Sequence, residues 1–321
     1  MHIEPKSYLH RTRAESLVFL IAASLLALAT LFALSEVAGI ETVWARLQGV
    51  HPIWFLAAFG AEIVAYLGYM LGYREVSRVD EGPMMANGRT AAAVVAGFGP
   101  FVTQGGFAVD LQAFKMTGIS DREARVRVLG LGALEYALLA PAACIASIQL
   151  LASGSSTPMG LTLPWAVAVP VGFAAALWAV GHRQRFGQKG WLNDAIAQLL
   201  ESIHVIRCLF ARGHLAGPFG AAIYWFGEMA CLWACLQAFS HGAPNVALLL
   251  IGYATGYALT RRTLPLGGAG AVEALLPFAL YWTGVPLAAA ILAVFTYRVF
   301  NFWLPVLPAV VGIRSLRAAA A

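Results

Sequence analysis

LVFLIAASLLALATLFAL, residues Leu17 to Leu34, carries no charge over eighteen positions and no strand-like alternation. As a helix, a run of that length can cross the roughly 30 Å hydrocarbon core of a bilayer. Lys6, Arg11 and Arg13 precede it, and Ala27-Leu28-Ala29 loosely matches a signal-peptide cleavage site. The apolar core of an ordinary signal peptide is shorter, so the run reads as a retained first span. The rest of the 321 residues is similar in kind, with 60% apolar, only 12% charged and a mean hydropathy of +0.73. Soluble domains carry about 25% charged residues. This chain therefore cannot clothe a water-facing surface of its own size, and it is too apolar to be disordered. Its apolar stretches are long and continuous rather than short and alternating, which argues against an outer-membrane barrel. The fold class expected is all-α, a polytopic membrane helical bundle forming a single membrane domain over 1–321.

After the first span, Ile40, Val43, Trp44 and Leu47 recur at helical spacing opposite Glu41, Arg46 and Gln48, which predicts a short interfacial helix. Further spans are expected at about 52–73, 128–152, 162–181, 217–240 and 287–311. The stretch 91–109 is apolar but broken by Gly97, Gly99, Pro100, Gly105 and Gly106. Basic loops flank it on both sides, with Arg74, Arg78 and Arg89 before it and Lys115, Arg122, Arg125 and Arg127 after it. Like-charged flanks belong on one side of the membrane, so this segment is expected to be re-entrant. Broken backbone at membrane depth is tolerated only against protein or a wet cavity.

In the polar stretch 182–213, Leu192, Ala195, Ile196, Leu199, Ile203, Ile206 and Phe210 share one helical face, with Asp194, Gln198, Glu201 and Arg207 away from it. That pattern predicts a cytoplasmic amphipathic helix. Two apolar segments follow, 246–263 and 267–284. As full spans they bring the crossings to eight; as a re-entrant hairpin from the outer face they leave six with the same parity. The chain thus divides into a first half-bundle, 16–152, and a second, 217–313, with a Gly-rich break at 263–271. A weak pseudo-repeat links the halves: Gly105-Gly106, Asp110, Phe114 and Thr117-Gly118-Ile119 parallel Gly267-Gly268, Glu273, Phe278 and Thr283-Gly284-Val285. Chance likeness in Gly/Ala-rich sequence is an equal rival.

The basic residues orient the chain. Three lie in the N-terminus, three and four in the two inner loops, five in the amphipathic stretch and two at the C-terminus, seventeen of the 21; Arg46 is expected outside. Both termini are therefore expected in the cytoplasm, in the cytoplasmic (inner) membrane of a bacterial or archaeal cell. The net charge of +5 is explained by orientation and anionic headgroups, so no nucleic acid partner is expected. Cys144, Cys208, Cys231 and Cys235 form no CxxC and read as packing residues.

Ionisable side chains at membrane depth cost about 2.5–3.5 kcal/mol each on insertion scales and so need a partner, water or a task. The candidates are Glu62, Glu135, Glu228, Glu273 and Arg298. Singly, each suits an internal ion pair or snorkelling to the interface; together they favour a polar path in which the acids pair with cations or carry protons. In Thr260-Arg-Arg-Thr-Leu-Pro265-Leu-Gly267-Gly268-Ala-Gly270, Arg261 and Arg262 precede a break that frees helix N–H groups, a setting suited to an anion such as phosphate. The same residues also suit a plain inner loop with glycines for close packing, and spacing leaves both readings open. Pro100, Gly105, Gly106, Pro265, Gly267, Gly268 and Gly270 are the backbone breaks expected to line the groove.

The run from Leu264 to Pro305 resembles the signature of the lysylphosphatidylglycerol synthase membrane region and its stand-alone flippase-like relatives. The likeness rests on Pro265, Gly267, Gly268, Gly270, Glu273, Gly284, Arg298, Trp303 and Pro305. GPFVTQGGFAVDLQAFKMTGISDREA is similar to the family's first conserved region, through Pro100, Gly105, Gly106, Gly118 and Ala124. Two departures bear on the headgroup: Phe107 follows Gly106, where relatives that move aminoacylated lipids carry Glu, and Leu266 separates Pro265 from Gly267. No soluble acyltransferase domain follows Arg317, so aminoacyl transfer is not implied.

No GxxxxGK[ST], HExxH or GxSxG is present, and the seven His are scattered, so no ATP hydrolysis, metal, cofactor or catalytic residue is expected. The expectation is a lipid translocase that passes a phospholipid or polyprenyl-phosphate headgroup along a groove where Arg261, Arg262 and Arg298 attract the phosphate. Its partners are then the lipid and the membrane, with a homo-oligomer left open. The alternative is an integral-membrane transferase acting on a lipid-phosphate donor, for which Asp80-Glu81 is a weak acidic pair.

Overall fold

The computed structural model describes residues 13–98, 106–154, 158–182, 191–211, 213–239, 242, 245–258 and 265–320. Among them every regular element is helical. Six helices are long and apolar enough to cross a membrane, the architecture of a polytopic helical membrane protein. They begin with α1 (Arg13–Ala38), and the short α2 (Ile40–Gln48) and the long α3 (Ile53–Ser77) follow. The interfacial reading of 40–48 thus meets a separate nine-residue helix. Arg46 on α2 donates to the carbonyl of Phe239, and the His51 N–H donates to that of Ala238, so this corner covers the C-terminal end of a later helix. A cation there meets the negative end of the helix dipole.

Asn87–Phe98 forms α4 and Gly106–Lys115 forms α5, which pack together on either side of the interruption expected within 91–109. Gly99, Pro100 and Gly105 lie outside the described residues. Asp121–Ala152 is α6, opened by a capping box in which Ser120 and Glu123 exchange hydrogen bonds. The capping box starts the helix seven residues before the apolar run at 128. Met159–Gly181 is α7, and Trp191–Ala211 is the amphipathic α8. Ser202, Val205, Cys208 and Leu209 make the buried side of α8, whereas Leu199 and Phe210 from the expected apolar face are exposed. The face that touches protein is therefore not the most apolar one, which is left facing outward.

Ala216–Phe239 is α9, and its seam with α3 forms the centre of the bundle. A Cβ built on Gly68 would stand 2.5 Å from the Tyr224 nitrogen, one on Gly220 2.6 Å from the Gly72 nitrogen, and one on Gly227 2.6 Å from the Ala65 nitrogen. Small residues here let two backbones touch, the usual source of helix affinity where no hydrophobic driving force exists. Val246–Tyr253 is α10, continued by a π-helical turn at Ala254–Ala258; a tight turn at Pro265–Gly268 leads to α11 (Ala271–Trp282). Leu287–Arg298 is α12, continued by a second π-helical turn at Val299–Trp303, and Val306–Ala320 is α13. The last span, expected as one helix over 287–311, is thus locally widened, with the Leu304 N–H reaching back to Val299 at 2.8 Å.

Candidate functional site

Arg298, at the end of α12, is 1% exposed and ion-paired to Glu273, which is 0% exposed. Its Nε donates to Glu273 Oε1 at 2.5 Å, one terminal nitrogen donates to Asn301 Oδ1 at 3.3 Å and the other to the Gly267 carbonyl at 3.3 Å. The guanidinium carbon lies 4.2 Å from the centre of the Phe302 ring. Glu273 is the third residue of α11, and its Oε2 accepts the Gly270 N–H at 2.7 Å, so it satisfies a free helix donor as well as the arginine. The break needs glycine: Gly267, Gly268 and Gly270 have φ of 63, 72 and 82, and Leu266 joins them at 58. Leu26 of α1 closes over Gly270.

One residue beyond this pair is a second buried acid. Glu228, midway along α9, accepts the Tyr253 hydroxyl at 3.4 Å, the Asn301 amide at 3.2 Å, and the Tyr297 hydroxyl. Tyr253 and Tyr297 lie 3.3 Å apart through their hydroxyls, and the Asn301 amide reaches the Tyr257 hydroxyl at 2.5 Å. Asn301 therefore joins the two acids, touching Arg298 through its oxygen and Glu228 through its nitrogen. Both π-helical turns supply a member, Tyr257 in the first and Asn301 in the second. Single wide turns of this kind recur at functional sites.

Glu62 on α3 is buried and close enough to Glu228 for their charges to interact. It also lines an apolar cleft of about 310 Å³, together with Phe59, Tyr66, Val95, Phe300 and Leu307. The structure thus gathers Arg298, Glu273, Gly267, Gly270, Glu228 and Glu62 into one region. Glu135 is buried on α6, where its main-chain carbonyl accepts the Trp225 indole N–H at 2.8 Å. Gly106 opens α5, and buried Asp110 follows on the same helix, its carbonyl accepting the Tyr73 hydroxyl at 3.3 Å. Arg261 and Arg262 lie outside the described residues; Pro265 begins the tight turn, and Gly268 follows in it.

Sequence reasoning missed Tyr253, Tyr257, Tyr297 and Asn301. A signal was present, because each pair is spaced i, i+4 in a segment beside the Gly-rich break and so shares a helix face. Cys208 packs in the core as expected, and it also stands beside His204 on α8 and Asp80 in the turn after α3. Compared with known protein-family models and with curated proteins, the chain matches none.

Proposed function

We propose that the chain is a flippase-like lipid translocase that moves a phosphate-bearing lipid, a phospholipid or a polyprenyl phosphate, across the membrane without hydrolysing ATP. The observation that carries this reading is the buried relay Glu273–Arg298–Asn301–Glu228, built where α10 and α11 break. Buried ions of this kind are costly to keep in a membrane bundle and mark pathways. In the state described, Glu273 neutralises Arg298. A lipid phosphate would compete with that carboxylate for the guanidinium, joined by Arg261 and Arg262, and the Glu273 carboxylate so released would be neutralised by binding a proton, with Glu228 and Glu62 as carriers. The adjoining apolar cleft, with Glu62 on its wall, is suited to an acyl or isoprenoid tail.

Topology supports the same reading. Among the described residues the apolar helices over Val246–Tyr257 and Leu266–Trp282 run 12 and 17 positions, roughly 18 and 26 Å at 1.5 Å per residue, short of a roughly 30 Å core. We read them as a hairpin entering from the outer face, which leaves six crossings and both termini inside. α4 and α5 then form the matching hairpin from the inner face. The two halves, α3 to α6 and α9 to α13, run in opposite senses, the inverted arrangement on which many transporters place a midplane site. The motif likeness to the lysylphosphatidylglycerol synthase membrane region points to the same class.

The test is movement of a labelled phospholipid or polyprenyl phosphate in proteoliposomes, comparing wild type with Arg298→Ala and Glu273→Gln. Transport should fall at least tenfold in both, with the purified variants still folded by circular dichroism. Wild-type rates in both variants would remove these residues from the path, and no movement of either lipid by wild type would remove the function.

A further inference from the structure

Away from the buried relay, at the junction of α8 with the turn after α3, three different metal-binding side chains converge. Asp80 Oδ2 lies 3.2 Å from His204 Nε2, Cys208 Sγ lies 3.3 Å from the same nitrogen, and Asp80 Oδ1 lies 3.9 Å from the sulfur. We infer that Asp80, His204 and Cys208 form a three-ligand site for a zinc-class divalent ion, with a fourth position open to solvent.

The geometry separates this arrangement from a catalytic relay. A Cys–His–Asp relay uses the two ring nitrogens on opposite edges, one for the thiol and one for the carboxylate. Here Asp80 Oδ2 is on Nε2, and Cys208 Sγ lies nearer that nitrogen, at 3.3 Å, than Nδ1, at 3.9 Å, so thiol and carboxylate gather at one end of the ring. Zinc bonds of about 2.3 Å to sulfur and about 2.0–2.2 Å to nitrogen and oxygen place tetrahedral ligand atoms roughly 3.3–3.6 Å apart. Oδ2–Nε2 at 3.2 Å and Sγ–Nε2 at 3.3 Å lie at the lower edge of that range, and one ligand atom from each residue lies within 4.8 Å of the other two. Thiolate and imidazole together select zinc over magnesium or calcium, which prefer all-oxygen shells.

The local structure presents the ligands. His204 and Cys208 are i, i+4 on α8 and share its face. Asp80 sits in a turn where it and Glu81 have φ of 54 and 59, and Arg127 from α6 donates to the carbonyls of Ser77 and Val79, holding that turn against the helix. Beside the cluster is a hollow of about 250 Å³ bordered by Arg122, Glu123, Arg127 and Glu201, into which the fourth position opens. Arg122 and Glu201 neutralise one another across it. Three protein ligands with one open position is the pattern of exchangeable or reactive zinc rather than of a closed structural site. Bound metal would pin α8 to the turn after α3.

The experiment uses tag-free, full-length protein in detergent, stripped with chelator and titrated with Zn²⁺ against a competing chelator dye, and separately with Co²⁺. One ion per chain should bind, and the Co²⁺ form should show a thiolate charge-transfer band that is absent in Cys208→Ser. His204→Gln and Asp80→Asn should weaken Zn²⁺ at least about tenfold, and Glu201→Gln should leave it unchanged. Should Cys208→Ser fail to fold, the half-exposed, isosteric Asp80→Asn still decides. Less than stoichiometric binding by wild type, wild-type affinity in Asp80→Asn, or a Co²⁺ spectrum lacking the thiolate band would each overturn the site.

Discussion

Arg298 and Glu273 satisfy one another so completely that neither can be removed alone without stranding a charge in the bundle. Arg298→Met should therefore cost about 3–5 kcal/mol of stability, and Glu273→Gln a similar amount. The paired change Arg298→Met with Glu273→Leu should recover much of the loss, because the desolvation cost of both ions goes with them. Thermal unfolding in mild detergent, read as a double-mutant cycle, checks this. Tyr297→Phe removes one donor from Glu228 and should cost about 1 kcal/mol, while Asn301→Leu, which severs contacts to Arg298, Glu228 and Tyr257, should cost more. The acids and the arginine were legible in the sequence because a charge stands out in an apolar run. The tyrosines and Asn301 left only their i, i+4 spacing as a trace, because such groups are common in membrane helices and only their convergence on Glu228 sets them apart.

At the scale of the helix, the α3–α9 seam makes the sharpest prediction. Gly220→Leu or Gly227→Val would drive a side chain into backbone, which cannot move aside as a flexible side chain can. Each should exceed the roughly 1–3 kcal/mol typical of overpacking and abolish a monodisperse peak in detergent gel filtration. Gly60→Ala on the same helix α3 meets nothing within 4 Å and should behave as wild type. The long helices could be read from unbroken apolar length. The π-helical turns at 254–258 and 299–303 could not, since one extra residue per turn leaves no trace in composition. Nor could the packed side of α8, where small and polar residues such as Ser202 and Cys208 fit against α6 and the more apolar Leu199 and Phe210 stay outside.

For the whole molecule, the proposed orientation yields a labelling pattern. Cysteines placed at the exposed positions Gln48 and Ser153 should react with an impermeant maleimide added to intact cells, and one at Asp121 only after lysis. Reaction at Asp121 in intact cells would reverse the topology. Charge bias predicts a sidedness but leaves the number of crossings open, because a hairpin and two spans return the chain to the same face. The seam of glycines has one more consequence. Two rods that touch backbone to backbone have no slack between them, so they act as a keel. On the proposed function, rocking that exposes Arg298 to one leaflet and then the other would come from α4–α5 and α10–α11 swinging about that keel. Spin-label distances across α3 and α9 should hold steady through a transport cycle while those from either hairpin to the keel change.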